Sequence, residues 1–189
     1  MNSAAFDGRD FIELARRFLT LAAVAFWLGG FTFYASVVIH TGHRVFGSRL
    51  ETGFLTQQVT PWLNLSGVVA LTFLLANGFI DWRQANRWIK ASLWLTWLIM
   101  AAVLATLYII HPMLDRMLDM EAHRVVDRSR FYGLHAAYMN LSTTQWVAGL
   151  LHLWLTLFVW RAGRATAPAL RAGTERSHNQ TPGSPDQAG

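Results

Sequence analysis

Cysteine is absent from this chain of 189 residues, which excludes disulfides, thiolate metal sites and thiol catalysis together. Charge is scarce as well, since only 14% of the residues are Asp, Glu, Lys or Arg against 53% that are hydrophobic. That balance leaves too little polar surface to cover a soluble globule of this size. The familiar enzyme signatures are missing: there is no phosphate-binding P-loop, dinucleotide glycine fingerprint, G-x-S-x-G elbow or H-E-x-x-H pair. Asp115, Asp119, Glu121 and Asp127 alternate with arginines, the pattern of a solvated helix face rather than of an acid–base pair. The chain reads as a non-enzyme.

What is present is apolar length. Residues 18–39, 61–80, 91–110 and 141–160 form four runs without a single Asp, Glu, Lys or Arg. Each matches the roughly 20 helical residues that cross the hydrocarbon of a bilayer. Backbone groups in lipid must bond within their own segment, so such runs are helices, and they lack the alternation of barrel strands. The expected fold is all-α, an integral membrane four-helix bundle over residues 18–160. An amphipathic segment, 1–17, is expected to lie on the cytoplasmic face, and the Ala/Gly/Pro/Ser-rich stretch 161–189 to be a disordered cytoplasmic tail.

Ten of the sixteen Lys/Arg fall in 1–17, 81–90 and 161–189. The positive-inside rule then predicts a multi-pass protein of a bacterial inner membrane with both termini cytoplasmic. The formal charge of +5 and pI near 10.4 report that orientation, so the expected partner is the lipid bilayer and not nucleic acid. A homo-oligomer or a place as accessory subunit in a larger membrane complex stays open. Arg16-Arg17-Phe18-Leu19 opens like an export signal, but the 22-residue run behind it is longer than the roughly 7–15 of a signal core. An uncleaved first span is expected. Trp62, Trp82, Trp88 and Trp160 stand at the ends of the runs, where they are expected to anchor at headgroup level.

Local signals refine this plan. Ser48-Arg49-Leu50-Glu51 has capping-box spacing and predicts a short interfacial helix. Thr60-Pro61 then reads as the N-cap and first position of the second span. The third helix is expected to run past His111-Pro112 to Leu118, and the fourth to begin near Asp127 or Ser129, giving a helical hairpin that projects outward.

Polar residues within spans are costly and point inward. His135, Tyr138, Ser142, Gln145, Gly149, His152 and Thr156 recur at three and four positions and so share one stripe of the fourth helix. If the stripe lines a cavity or path, Asn64 and Asn77 of the second helix are expected to face it. Either the stripe packs the bundle, as Ala25-x-x-x-Gly29 would in the first span, or it lines a small-solute, proton or ion cavity formed by His135, Tyr138, Asn140, Ser142, Gln145, His152 and Asn64. A different chemistry attaches to the outer side, which holds five of the seven histidines and four of the five internal methionines. Thioether and imidazole suit Cu(I), with Met117, Met120 and His123 at every third position and His40-x-x-His43 at a chelating separation. Two histidines at one depth, His40 or His111 with His135, would suit haem b. The cofactor expectation is none, with copper or haem as the alternative.

Two stretches resemble a known family. Trp27-Leu28-Gly29-Gly30-Phe31-Thr32-Phe33, and the segment from Phe131 through Leu134-His135 to Asn140, are similar to the first and last helices of the transmembrane-protein-205-like family of small four-helix membrane proteins of unknown function. The resemblance spans roughly residues 18–160 and implies the same four-helix membrane fold. It departs around His40, where that family usually has a proline-containing outer turn. A weaker similarity to copper-resistance D-type membrane proteins rests on the same W-L-G-G core and the outward His and Met residues.

Overall fold

The computed structural model describes residues 8–82, 85–119 and 124–179. It is all-helical apart from one two-residue β pairing. The first rod is α1 (Gly8–Phe33), a π-helical turn (Tyr34–Val38) and α2 (Ile39–Phe46) in unbroken succession. There is no break near residue 17: residues 8–17 of the charged segment and the first apolar run are one helix, and residues 1–7 lie outside the described residues. Gly47 ends the rod in a left-handed conformation, φ 63°, and its N–H returns to the His43 carbonyl at 3.1 Å. Such a C-terminal turn suits the one residue without a Cβ.

Ser48 caps α3 (Arg49–Asp81), its hydroxyl accepting from the N–H groups of Leu50 and Glu51. The cap is where the sequence placed it, but the helix behind it does not stop. Pro61 lies inside α3, and Thr60 caps nothing, because its hydroxyl donates back to the Thr56 carbonyl. The proline removes the N–H that would have reached the carbonyl four residues earlier and crowds that carbonyl with its ring, yet α3 continues through it. α4 (Arg87–Asp115), capped by Asn86, likewise passes through Pro112. It ends at Asp115, short of the predicted Leu118. In place of a helical hairpin, β1 (Leu118–Asp119) pairs antiparallel with β2 (Arg124–Val125).

Asp127 then opens α5 (Arg128–Asn179). Its Oδ1 accepts from the Arg130 N–H at 3.1 Å and from the Ser129 hydroxyl. These bonds, the backbone one first, hold its carboxyl below the ordinary value. The helix continues from Trp160 through Asn179, into the stretch whose composition predicted a tail without regular structure; residues 180–189 of that stretch lie outside the described residues. Ala, Leu, Arg and Glu in that stretch are strong helix formers.

Adjacent rods run antiparallel, with α1 packed mainly on α3 and α5 mainly on α4. Val24, Trp27, Leu28, Ala70, Leu71, Leu74, Met100, Leu104 and Ala148 form the buried centre. Trp27 fits because its neighbours are glycines: a Cβ on Gly67 would sit 3.0 Å from its Nε1, and one on Gly149 3.3 Å from its ring. The predicted Ala25/Gly29 seam is not used. Both residues are exposed, and nothing lies within 4 Å of a Cβ built on Gly29.

Among the described residues, three helical segments are long and apolar enough to cross a membrane: Asp10–Phe46, Leu50–Asp81 and Arg87–Asp115. α5 also has no Asp, Glu, Lys or Arg from 141 to 160, but Ser142, Gln145, His152 and Thr156 dilute its apolar run.

Candidate functional site

The polar side chains inside the bundle lie in layers. Nearest the N-terminal end of α1, Arg16 donates to Asn77 Oδ1 and, at 2.8 Å, to Asp81 Oδ1. Asn77 Nδ2 donates to the Thr20 hydroxyl. The second carboxylate oxygen of Asp81 accepts from Trp160 Nε1 at 2.6 Å, and the Arg17 guanidinium lies over the Trp160 ring at 5.1 Å. One acid thus ties α1, α3 and α5 together. Asn77 was expected to face α5; its amide reaches α1 because Arg16 and Thr20 stand at its depth.

One layer further in, His152 is wholly buried, and its Nδ1 lies 2.8 Å from the Thr96 hydroxyl of α4. Trp82 meets it edge-on at 5.4 Å and meets Trp94 at 5.0 Å. Trp82 and Trp160, 2% and 7% exposed, are therefore core residues and not surface anchors. Gly78 admits the Trp82 ring, since any Cβ there would lie 2.8 Å from it. Trp62 and Trp88 are exposed as anchors should be.

At mid-height Gln145 Nε2 donates to the Met100 carbonyl at 3.3 Å, while Trp97 Nε1 of α4 donates to the Leu71 carbonyl of α3. Ser142 and Gln145 border a void of only about 10 Å³, room for at most about one water. Towards the α2–α3 turn, the Asn64 amide and the Tyr138 hydroxyl exchange hydrogen bonds at 3.1 and 3.3 Å. His111 Nδ1 bonds Asp115 Oδ2 at 2.8 Å, with the imidazole edge-on to Tyr138.

The structure thus brings Asn64 to Tyr138 and buries Ser142, Gln145 and His152 on one side of α5. It separates others from them. His135 and Asn140 are exposed, His135 stacking on Phe131. Of the metal candidates, His40 and His43 are exposed, His111 is engaged by Asp115, and Met117 is half-buried. Met120 and His123 lie outside the described residues. Among the described residues no three His, Asp or Glu side chains converge as a metal site would require.

Sequence reasoning missed the Arg16–Asp81–Trp160 cluster. Its one linear signal is that Asp81 ends one apolar run while Arg16 and Arg17 precede another, which puts opposite charges at equal depth in antiparallel helices. The chain matches no protein-family model, no curated protein and no solved structure.

Proposed function

We propose that this chain is a polytopic, non-enzymatic protein of a bacterial inner membrane, a four-span bundle with both ends cytoplasmic, whose polar α5 stripe holds the helices together. The observation that carries the reading is an inverted distribution of polarity. Phe26, Phe33, Phe79, Leu95, Ile109, Val147 and Trp154 stand outside, each more than half exposed, whereas Asn64, Asn77, Gln145 and His152 are inside. Water disfavours so continuous an apolar exterior, and a bilayer favours it.

The partners of the inner groups support packing over passage. Asn64, Asn77, Thr96, Gln145 and His152 each meet a group on another helix, and the void beside Ser142 and Gln145 is too small for a solute. Hydrogen bonds across helices, at about 0.6 kcal/mol each and up to about 1.7, suit a packed bundle better than a conduit. The lysine and arginine bias supports the orientation.

Native cysteine being absent, single introduced cysteines report topology directly. Arg44→Cys and Val126→Cys should react with a membrane-impermeant maleimide on intact spheroplasts, and Lys90→Cys only after lysis. Release of the chain by carbonate wash, or labelling of all three from outside, would refute the proposal.

A further inference from the structure

Between α3 and α4 lies a slot of about 290 Å³, open to the exterior and lined by Leu71, Leu75, Trp97, Ala101, Ala105 and Tyr108 among others. It exists because Ala101 and Ala105, one turn apart, leave the α4 surface low beside the bulky Trp97 and Tyr108. From these walls we infer that the slot is a binding site for one acyl chain of a membrane lipid. The inference rests on the transmembrane reading above.

Three features select that occupant. Below Tyr108 the side-chain polar atoms on the walls are bonded within the protein: Trp97 Nε1 donates to the Leu71 carbonyl at 3.1 Å, and the Thr72 hydroxyl to the Val68 carbonyl at 2.8 Å. Donors or acceptors on a ligand would find the Tyr108 hydroxyl at one end and no free side-chain partner along the rest of the slot, which suits a chain that is polar only at its head. The length also fits. From Trp97 to Tyr108 the helix rises about 16 Å at roughly 1.5 Å per residue, close to the about 15 Å that one leaflet contributes to a hydrocarbon core of roughly 30 Å. Trp97 lies near the middle of α4 and Tyr108 towards its far end, so the slot begins at the rim of one leaflet and stops at the midplane. Finally, about 290 Å³ spread over that length is too narrow for a second copy's helix, about 10–12 Å across with its side chains. A single polymethylene chain is narrow enough. Tyr108, 45% exposed, stands at the rim where a tail joins its headgroup.

The full-length chain, extracted in mild detergent, stripped of lipid and given back palmitoyl-oleoyl phosphatidylcholine, should retain one lipid per chain in native mass spectrometry. Ala101→Phe/Ala105→Phe should lower that retention at least five-fold, whereas Leu98→Phe, on an exposed face outside the slot, should leave it unchanged. Equal retention by the filled variant, or a lipid-free dimeric wild type, overturns the inference. A second measurement does not depend on the filled variant folding: brominated acyl chains should quench a component of the tryptophan emission that is absent from Trp97→Phe. The same quenching in both proteins also overturns it. Carbonate extraction of the starting membranes separates the two readings, since a chain that washes off defeats the transmembrane proposal, and one that stays but ignores slot filling defeats only this one.

Discussion

Asp81 and Trp160 are 79 positions apart in the chain, yet the indole N–H of one donates to the carboxylate of the other at 2.6 Å. The remaining carboxylate oxygen is taken by Arg16, so the acid is satisfied from two helices at once. Charge-assisted bonds of this kind are the stronger class, and the acid is only 10% exposed.

Removing that acid should loosen three helices. Asp81→Ala is expected to cost about 2 kcal/mol, less than the roughly 3–5 of a fully buried pair, because Arg16 keeps Asn77 and a share of solvent. Trp160→Phe, which loses one bond and keeps most of the ring, should cost about 1 kcal/mol. Thermal unfolding in detergent, read by near-ultraviolet circular dichroism, checks both. Equal stability of Asp81→Ala and wild type would show that the cluster holds nothing.

Thr96→Val should be destabilising by about 1 kcal/mol, since it removes the partner of a wholly buried imidazole while preserving side-chain shape. Gln145→Leu should cost less, because the bond it loses is longer, 3.3 Å, and leucine suits its surroundings. His135→Ala, on an exposed side chain, should change stability by under about 0.5 kcal/mol. The order of the three melting shifts is the readout; His135→Ala as the largest would contradict the layer assignment.

Gly67→Ala and Gly149→Ala each press a methyl group into Trp27 or Leu28, and overpacking of this kind costs about 1–3 kcal/mol. Gly29→Ala meets open space and should be neutral or slightly stabilising through helix propensity. A reversal of that order in melting temperature would restore the Ala25/Gly29 seam that the sequence suggested.

The α5 cap carries a pH signature. Asp127 accepts from the Arg130 N–H and the Ser129 hydroxyl, and both lower its pKa below the ordinary value of about 3.9. A carboxyl depressed in the folded state stabilises above its unfolded pKa and loses that contribution as the pH falls through the folded one. Hydrogen-exchange protection at residues 129–131 should therefore be flat from pH 7 to about 5 and decline below about 4. Asp127→Asn should abolish the pH dependence and keep most of the protection, and Asp127→Ala should lose both. A wild-type profile unchanged down to pH 3 would exclude the carboxylate as the cap.

Much of the fold was legible because its signals are local. Ser48 and Asp127 announce helix starts through their own side chains, and runs without charge declare their helices by length. The burial of Ser142, Gln145 and His152 on one side of the last helix agrees with their spacing. Other expectations failed where neighbours outvoted a local signal. Pro61 looked like a first position, but a packed helix tolerates the single lost hydrogen bond. Trp82 and Trp160 looked like anchors, yet Gly78 and Asp81 offered them better surroundings inside.

The sequence by itself determined that the chain is helical, rich in apolar length and stocked with a polar stripe on its last helix, since charge content and periodicity are properties of single segments. Only the tertiary structure decided which glycines admit Trp27, which acid binds Trp160, and that the stripe is divided into separately paired layers. Those outcomes depend on which residues arrive at the same depth from different helices, and depth is set by packing and crossing, which no single segment encodes.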